Sequence, residues 1–269
     1  MQGKKIHLAG LLLATALSAQ ADDSLFGETK GAETLPEGAL ELIQHFNQRS
    51  DKGKGTYNAL DSKTELEYGI THRLTGALYL KAQSIQTAGL LIDGYIPKDE
   101  SYGLRASGVE GSLKYNFLSP AKDDFGLAGY FSAGYSWLDP HSGQKKDKFT
   151  VETKLLAQKY FLDGQLIWAG NLGMEATMAQ RGALDNLPED FDWPTHPEME
   201  IGFSASTGLS YRFAPNWFIG GEIIFESEHE TEVGRERWSI NAGPSLHYGG
   251  KKWWATLSWL DLAPVLWSS

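Results

Sequence analysis

Residues 198–213 read EMEIGFSASTGLSYRF, an almost unbroken alternation. Met199, Ile201, Phe203, Ala205, Thr207, Leu209, Tyr211 and Phe213 fall on one side. Glu198, Glu200, Gly202, Ser204, Ser206, Gly208, Ser210 and Arg212 fall on the other. Successive side chains of a strand point to opposite faces, so the stretch is a ribbon with one apolar and one hydrated side. The same alternation recurs along most of the chain.

The N-terminus reads as an export signal. Lys4 and Lys5 precede the short apolar run LAGLLLATAL at 8–17, and Ala19-Gln20-Ala21 is a small-x-small cleavage site, which predicts a signal peptide over 1–21. The apolar run is well short of the roughly 20 residues a spanning helix needs. No cysteine is present to carry a lipid or a disulfide, so an exported chain of this length draws its stability from another source, such as a closed hydrogen-bonded sheet. The formal charge is −10, and loss of Lys4 and Lys5 takes it to −12. That balance opposes nucleic-acid binding, which wants a basic stripe. Thirty Gly beside nine Trp and eleven Tyr suit a membrane barrel: glycine relieves crowding at bends, and Trp and Tyr favour the lipid–water boundary. The mean hydropathy of −0.34 is compatible with such a barrel, because half of each strand faces water.

After a polar leader at 22–37, ending in the turn signal Leu35-Pro36-Glu37-Gly38, eleven strands are expected: 39–49, 60–70, 73–86, 102–117, 125–138, 148–162, 165–180, 198–213, 217–230, 237–248 and 251–262. The links alternate. Thr71-His72, 118–124, Asp163-Gly164, Ala214-Pro215-Asn216 and Gly249-Gly250 are short, whereas 50–59, 87–101, 139–147, 181–197 and 231–236 are long and polar. Short turns at one end and long loops at the other characterise an outer-membrane barrel. The reading is therefore an all-β, antiparallel up-and-down transmembrane barrel over 38–269 in a Gram-negative outer membrane, with the leader and N-terminus periplasmic. The competing all-β fold, a soluble sandwich or lipocalin-like barrel, hides an apolar face inside; here one face is lined with Gly, Ser, Asn, Glu and Lys.

With the apolar face given to lipid, parity assigns the lumen to Lys63, Glu65, Glu67, Lys81, Glu110, Lys114, Glu152, Lys154, Glu175, Glu200, Arg212, Glu222, Glu226 and His247. An unpaired buried charge costs several kcal/mol, so cross-lumen ion pairs are expected. Such a lumen is either closed by its charge network or a narrow channel for small solutes or ions. Aromatic girdles are expected from Tyr115, Phe117, Trp137, Trp168, Tyr211, Phe213, Trp217, Trp238, Trp253 and Trp259. Glu226, Glu228, Glu230 and Glu232 share one face beside His229, which suits either a divalent cation or a plain solvated strand end; the second reading is preferred, and no metal or cofactor is assigned. Neither a G-x-S-x-G elbow nor H-E-x-x-H occurs, so no catalytic residue and no enzymatic activity are assigned. The expected function is a narrow porin-like channel, the alternative a plugged structural barrel acting through its loops. The expected partners are outer-membrane lipid, the outer-membrane assembly machinery and a small-solute permeant.

The stretches SLFGETKGAETLPEGALELIQHF (24–46), GKGTYNALDSKTELEYGITHRLTGALYL (53–80) and HYGGKKWWATLSW (247–259) resemble an uncharacterised family of Gram-negative outer-membrane barrels. The likeness rests on Leu25, Phe26 and Gly27, on Leu35, Pro36 and Gly38, on Tyr57, Ala59 and Asp61, and on Glu65, Glu67, Tyr68 and Gly69. The resemblance implies a barrel and no particular activity. It also implies a last strand ending in an aromatic residue, whereas this chain ends DLAPVLWSS. About twelve strands are thus expected and eleven identified, with the last missing by truncation or frameshift; the alternatives are a mis-drawn strand count or the leader 22–37 filling the gap.

Overall fold

The computed structural model describes residues 7–16, 24–51, 54–91, 98–185, 187, 193, 195–230 and 236–262. Twelve strands are present: β1 (His7–Ala16), β2 (Leu40–Ser50), β3 (Lys54–Thr71), β4 (Leu74–Leu91), β5 (Ser101–Leu118), β6 (Gly126–Leu138), β7 (Lys145–Phe161), β8 (Leu166–Arg181), β9 (Glu198–Ala214), β10 (Trp217–Glu230), β11 (Glu236–Gly249) and β12 (Trp253–Leu262). Each of β2–β12 pairs antiparallel with its neighbours in chain order, and the sheet closes on itself. All eleven expected strands are found.

The twelfth place is taken by β1, which pairs with β12 on one side (Leu12↔Thr256) and β2 on the other (Leu12↔His45). The segment that the sequence marks as an export signal is thus the one that completes the ring. A run of about ten residues has the length of a barrel strand, and pairing on both sides satisfies the edge groups of β2 and β12, which carry unmet donors and acceptors in an open sheet. Over β1, the Trp254 indole N–H donates to Glu41 Oε1 at 2.5 Å, a link between β12 and β2 across the seam.

Alternation sets the faces. In β9, Met199, Phe203, Leu209, Tyr211 and Phe213 are exposed on the outside, while Gly208 and Ser210 are buried on the inside. Leu78 on β4 is 68% exposed and Leu172 on β8 is 63% exposed, whereas Glu222 on β10 is 3% exposed. The outer surface is a continuous apolar band. The inside is less uniformly polar than parity suggested, with Phe218, Ile224, Leu156, Ile167 and Ala169 buried within the ring.

The ends differ as expected except along one hairpin, where the expected loops 50–59 and 87–101 give up residues 54–59 and 87–91 to β3 and β4. Four of the short turns fall at 72–73, 162–165, 215–216 and 250–252, and Leu162, Asp163 and Asn216 adopt left-handed backbone there. The expected long loop at 50–59 is a correction. Residues 54–59 continue β3, pairing with β4 from Lys54 and with β2 at Asn58 and Ala59, and Tyr57 and Ala59 are buried in step with the strand.

The expected aromatic residues lie on the outer wall in two groups. Tyr115, Phe117, Trp168, Tyr211, Phe213, Trp217 and Trp253 ring the short-turn end, with Tyr115 and Phe117 edge to face at 5.2 Å. Trp137 and Trp238 lie at the opposite end, Trp238 stacked on Phe225 at 6.5 Å, and Trp259 falls between them.

If β1 closes the sheet, a chain beginning at residue 22 and refolded in detergent is expected to lack the compact, heat-modifiable gel band of the chain that retains residues 7–16. Identical migration of the two would show that the ring closes without β1.

Candidate functional site

The leader lies inside the ring at its short-turn end. Leu25 and Phe26 are buried in an apolar cluster with Ile167, Ala169 and Phe218, against which Tyr160 packs. Ala32 sits in a second cluster with Ala128, Tyr130 and Leu156. From Ser24, whose carbonyl accepts a hydrogen bond from Thr256 on β12, the chain crosses to Leu35, whose N–H donates to Thr75 Oγ1 on β4 at 2.9 Å. The segment therefore straps across the opening.

Its backbone is satisfied without joining the sheet, because wall side chains supply the partners that buried main-chain groups require. Glu222 accepts the N–H groups of Gly27 (2.6 Å), Glu28 (3.2 Å) and Thr29 (2.9 Å), and the Thr29 hydroxyl at 2.9 Å. Asn171 accepts from Lys30 N–H at 2.7 Å and donates back to Lys30 C=O at 2.8 Å. Gln158 accepts from Ala32 N–H at 2.7 Å, and Asn116 donates to Ala32 C=O at 2.6 Å.

Two wall glycines make room. A Cβ on Gly208 would fall 2.6 Å from the Phe26 ring, and one on Gly69 would fall 2.0 Å from the Pro36 carbonyl oxygen. The leader's apolar pair Leu25-Phe26 is the signal by which a buried plug was legible in an otherwise polar segment.

The opposite end is narrowed by the link 139–144, which folds inward. Tyr57 donates to Pro140 C=O at 3.0 Å, Gln83 to Asp139 C=O at 3.1 Å and Tyr102 to Gly143 C=O at 2.8 Å. Asp139 Oδ1 accepts the N–H groups of His141 (2.7 Å) and Ser142 (2.8 Å), shaping the turn. Burial alone would raise the Asp139 carboxyl. The charges of His141 and Lys146, with those two N–H groups, outweigh it and hold the carboxyl well below the usual carboxylate range.

Between plug and loop lies a cavity of about 520 Å³, floored by Phe26–Lys30 and walled by charged and hydroxyl side chains. Of the expected lumen residues, Lys63, Lys81, Glu110, Glu152, Lys154, Glu175 and Glu226 line it. Glu65, Glu67, Lys114, Glu222 and His247 are buried in the inner wall. Glu200 lines an adjoining cavity of about 130 Å³, and Arg212 is exposed near the short-turn end.

The expected cross-lumen ion pairs are a correction as far as the described pairs go, which run along the wall. Lys81–Glu110 (2.5 Å), His45–Glu65 (2.7 Å) and the two-pronged Arg49–Asp61 contact (2.6 and 2.7 Å) join adjacent strands. Lys154–Glu152 (2.8 Å) lies within one strand. Lys146 reaches Glu198 (3.0 Å) and Glu200 (3.2 Å), and Arg181 also pairs with Glu198 (2.7 Å). The pairs run along the wall because the plug and the cavity hold opposite walls apart.

Lys30 projects from the plug to 5.3 Å from the Tyr130 ring. Burial would lower its pKa, but Tyr130, Glu65, Glu67 and Glu152 hold it charged above the ordinary lysine range. In the acidic row, Glu226 and Glu228 line the adjoining cavity, and Glu232 lies outside the described residues. Among the described residues, no group of three or more His, Asp or Glu is arranged to hold a metal ion.

A family model described as "Family of unknown function (DUF6662)" matches residues 18–262, and the chain belongs to that family. No curated protein matches it. Among solved structures, it is similar to the ferric citrate transporter FecA in its unliganded form, with 14% identity and a TM-score of 0.29 over 91% of this chain and 42% of that one. It is also similar to the P. putida toluene transporter TodX, with 9% identity and a TM-score of 0.35 over 97% of this chain and 89% of that one. The chain thus spans less than half the length of the FecA chain.

Glu222→Ala strands three N–H groups of the plug. Hydrogen bonds to a charged acceptor contribute roughly 1.5–3 kcal/mol each, so the variant is expected to free the segment and open the Lys30–Gly31 bond to trypsin while the barrel stays intact. Gly208→Val is expected to do the same by expelling Phe26.

The link 139–144 has its own pH signature. A carboxyl whose folded pKa is lowered contributes stability that is present above its ordinary pKa of 3.8 and lost as pH falls through the lower folded value. Hydrogen exchange at Ser142 and Gly143 is therefore expected to stay protected from neutral pH to about pH 4 and to lose protection only in stronger acid, whereas Asp139→Ala loses it at neutral pH.

Proposed function

We propose that the protein is an outer-membrane β-barrel whose lumen is a narrow, plug-gated passage for small polar solutes or ions. The observation that carries this reading is an inverted distribution of polarity. Leucine, isoleucine and phenylalanine side chains cover the outside, while a polar cavity of about 520 Å³ and a charge-lined wall fill the inside. Exposing so many large apolar groups to water would cost on the order of 1.5–3 kcal/mol for each such side chain, whereas acyl chains would solvate them. Strands of 17 or 18 residues at β3–β5, β7 and β9 exceed the roughly 9–11 residues that cross a bilayer and would carry the barrel beyond it. The two aromatic groups would sit at the two interfaces.

In this reading the short turns and the plug face the periplasm and the long loops face outward, with lipid and the outer-membrane assembly machinery as partners. Residues 1–21 serve in export, and N-terminal sequencing of the membrane-extracted protein decides whether they are retained. The reading is of a passage, not an enzyme: His45 and His247 are taken up in wall contacts with Glu65 and Thr256.

A second reading, a permanently closed structural barrel acting through its loops, is favoured by the depth at which Leu25 and Phe26 are buried. Bilayer recording separates the two. Wild-type protein is expected to stay closed or open rarely, and Glu222→Ala or deletion of residues 24–35 to give frequent single-channel steps. Silence from the folded, plug-released variants would overturn the passage reading. Recovery of the protein in the soluble periplasm would overturn the membrane assignment.

A further inference from the structure

Acids and bases both line the main cavity, and among them Lys63 stands across the ring from Glu175 and Glu226. In a ring of twelve strands, β3 and β4 stand opposite β9 and β10. On the β3–β4 side, Lys63, Lys81 and Asp61 face the cavity, and Asp61 is taken up by Arg49. Lys81 is matched by Glu110. Among the described residues no ion pair takes up Lys63, whose ammonium lies 5.0 Å from the Tyr79 ring centroid. On the other side stand Glu175 of β8 and Glu226 of β10. Among the described residues neither has an ion-pair partner: Glu175 accepts from the Thr177 hydroxyl at 3.1 Å and Glu226 from the Asn241 amide at 3.4 Å. Lys148 and the Glu152–Lys154 pair on β7 lie between the two walls.

A single ion entering this space answers one wall and leaves the other uncompensated, and an uncompensated charge away from bulk water is costly. A solute with an ammonium at one end and a carboxylate at the other answers both. The volume of about 520 Å³ falls within the roughly 300–1,000 Å³ usual for small-molecule sites. We propose that the cavity binds small zwitterions of the amino-acid and short-peptide class, with the carboxylate held at Lys63 and Lys81 and the ammonium at Glu175 and Glu226. The proposal deepens the reading of a polar lumen but does not require conduction, so binding and conductance fail separately.

The test is calorimetric titration of the full chain, refolded in detergent and checked for heat-modifiable migration, with triglycine as probe. N-acetyl-triglycine amide, acetate and ethylammonium are the controls. Triglycine is expected to bind at least tenfold more tightly than any control. Lys63→Gln, and Glu175→Gln combined with Glu226→Gln, are expected each to weaken triglycine at least tenfold in protein that still migrates as folded. Absence of triglycine binding, equal binding of the blocked peptide, or folded variants that bind like wild type would each overturn the proposal.

Discussion

Everything in this molecule depends on meeting main-chain hydrogen-bond demand in a closed surface. A sheet that curls into a ring has no edge only if every strand has two neighbours, and here the last place is filled by β1 between β2 and β12. The same demand governs the plug. Residues 24–35 run through the interior with no strand partner, so the wall presents Glu222, Asn171, Gln158, Asn116 and Thr75 to their peptide groups. Those side chains read in sequence as generic lumen polarity. In the structure they are the receptors of a particular backbone.

The plug also rearranges the electrostatics. With the short-turn mouth filled, the remaining space is a bounded cavity whose charges cannot meet across it. The pairs described form along the wall, within a strand or between strands one or two places apart, and Lys63, Glu175 and Glu226 are left to face the interior. A plug held by wall side chains and two apolar clusters rather than by strand pairing is, in the proposed passage, the element that would be docked or released. That is the physical requirement for a gate, and it links the local chemistry of Glu222 to the proposed passage.

Much of the fold was legible residue by residue. Met199 to Phe213 announced the outward face of β9, and the same alternation found the other ten strands and the inward placement of Glu65, Lys81, Glu110, Glu175 and Glu222. It was misled at 50–59, where glycine and lysine suggested a loop but Tyr57 and Ala59 kept the strand's step. It also treated every inward position as hydrated, whereas Phe218, Ile167 and Ala169 form a socket for Leu25 and Phe26. The clue was present in the leader, but a local pattern carries no address for where a free segment will dock.

The sequence by itself determined the period-two pattern, and with it the strands, their two faces and the closed all-β class, because side-chain direction along a strand is a local property. Only the tertiary structure decided what lies inside the ring: that residues 7–16 complete it, that residues 24–37 cork it, that the link 139–144 folds over the other mouth, and that Lys63 ends across the cavity from Glu175 and Glu226. Those outcomes depend on contacts between residues far apart in the chain, such as Gly27 with Glu222 at a separation of 195 and Ser24 with Thr256 at 232. Such contacts form only once closure has brought their strands around a common axis.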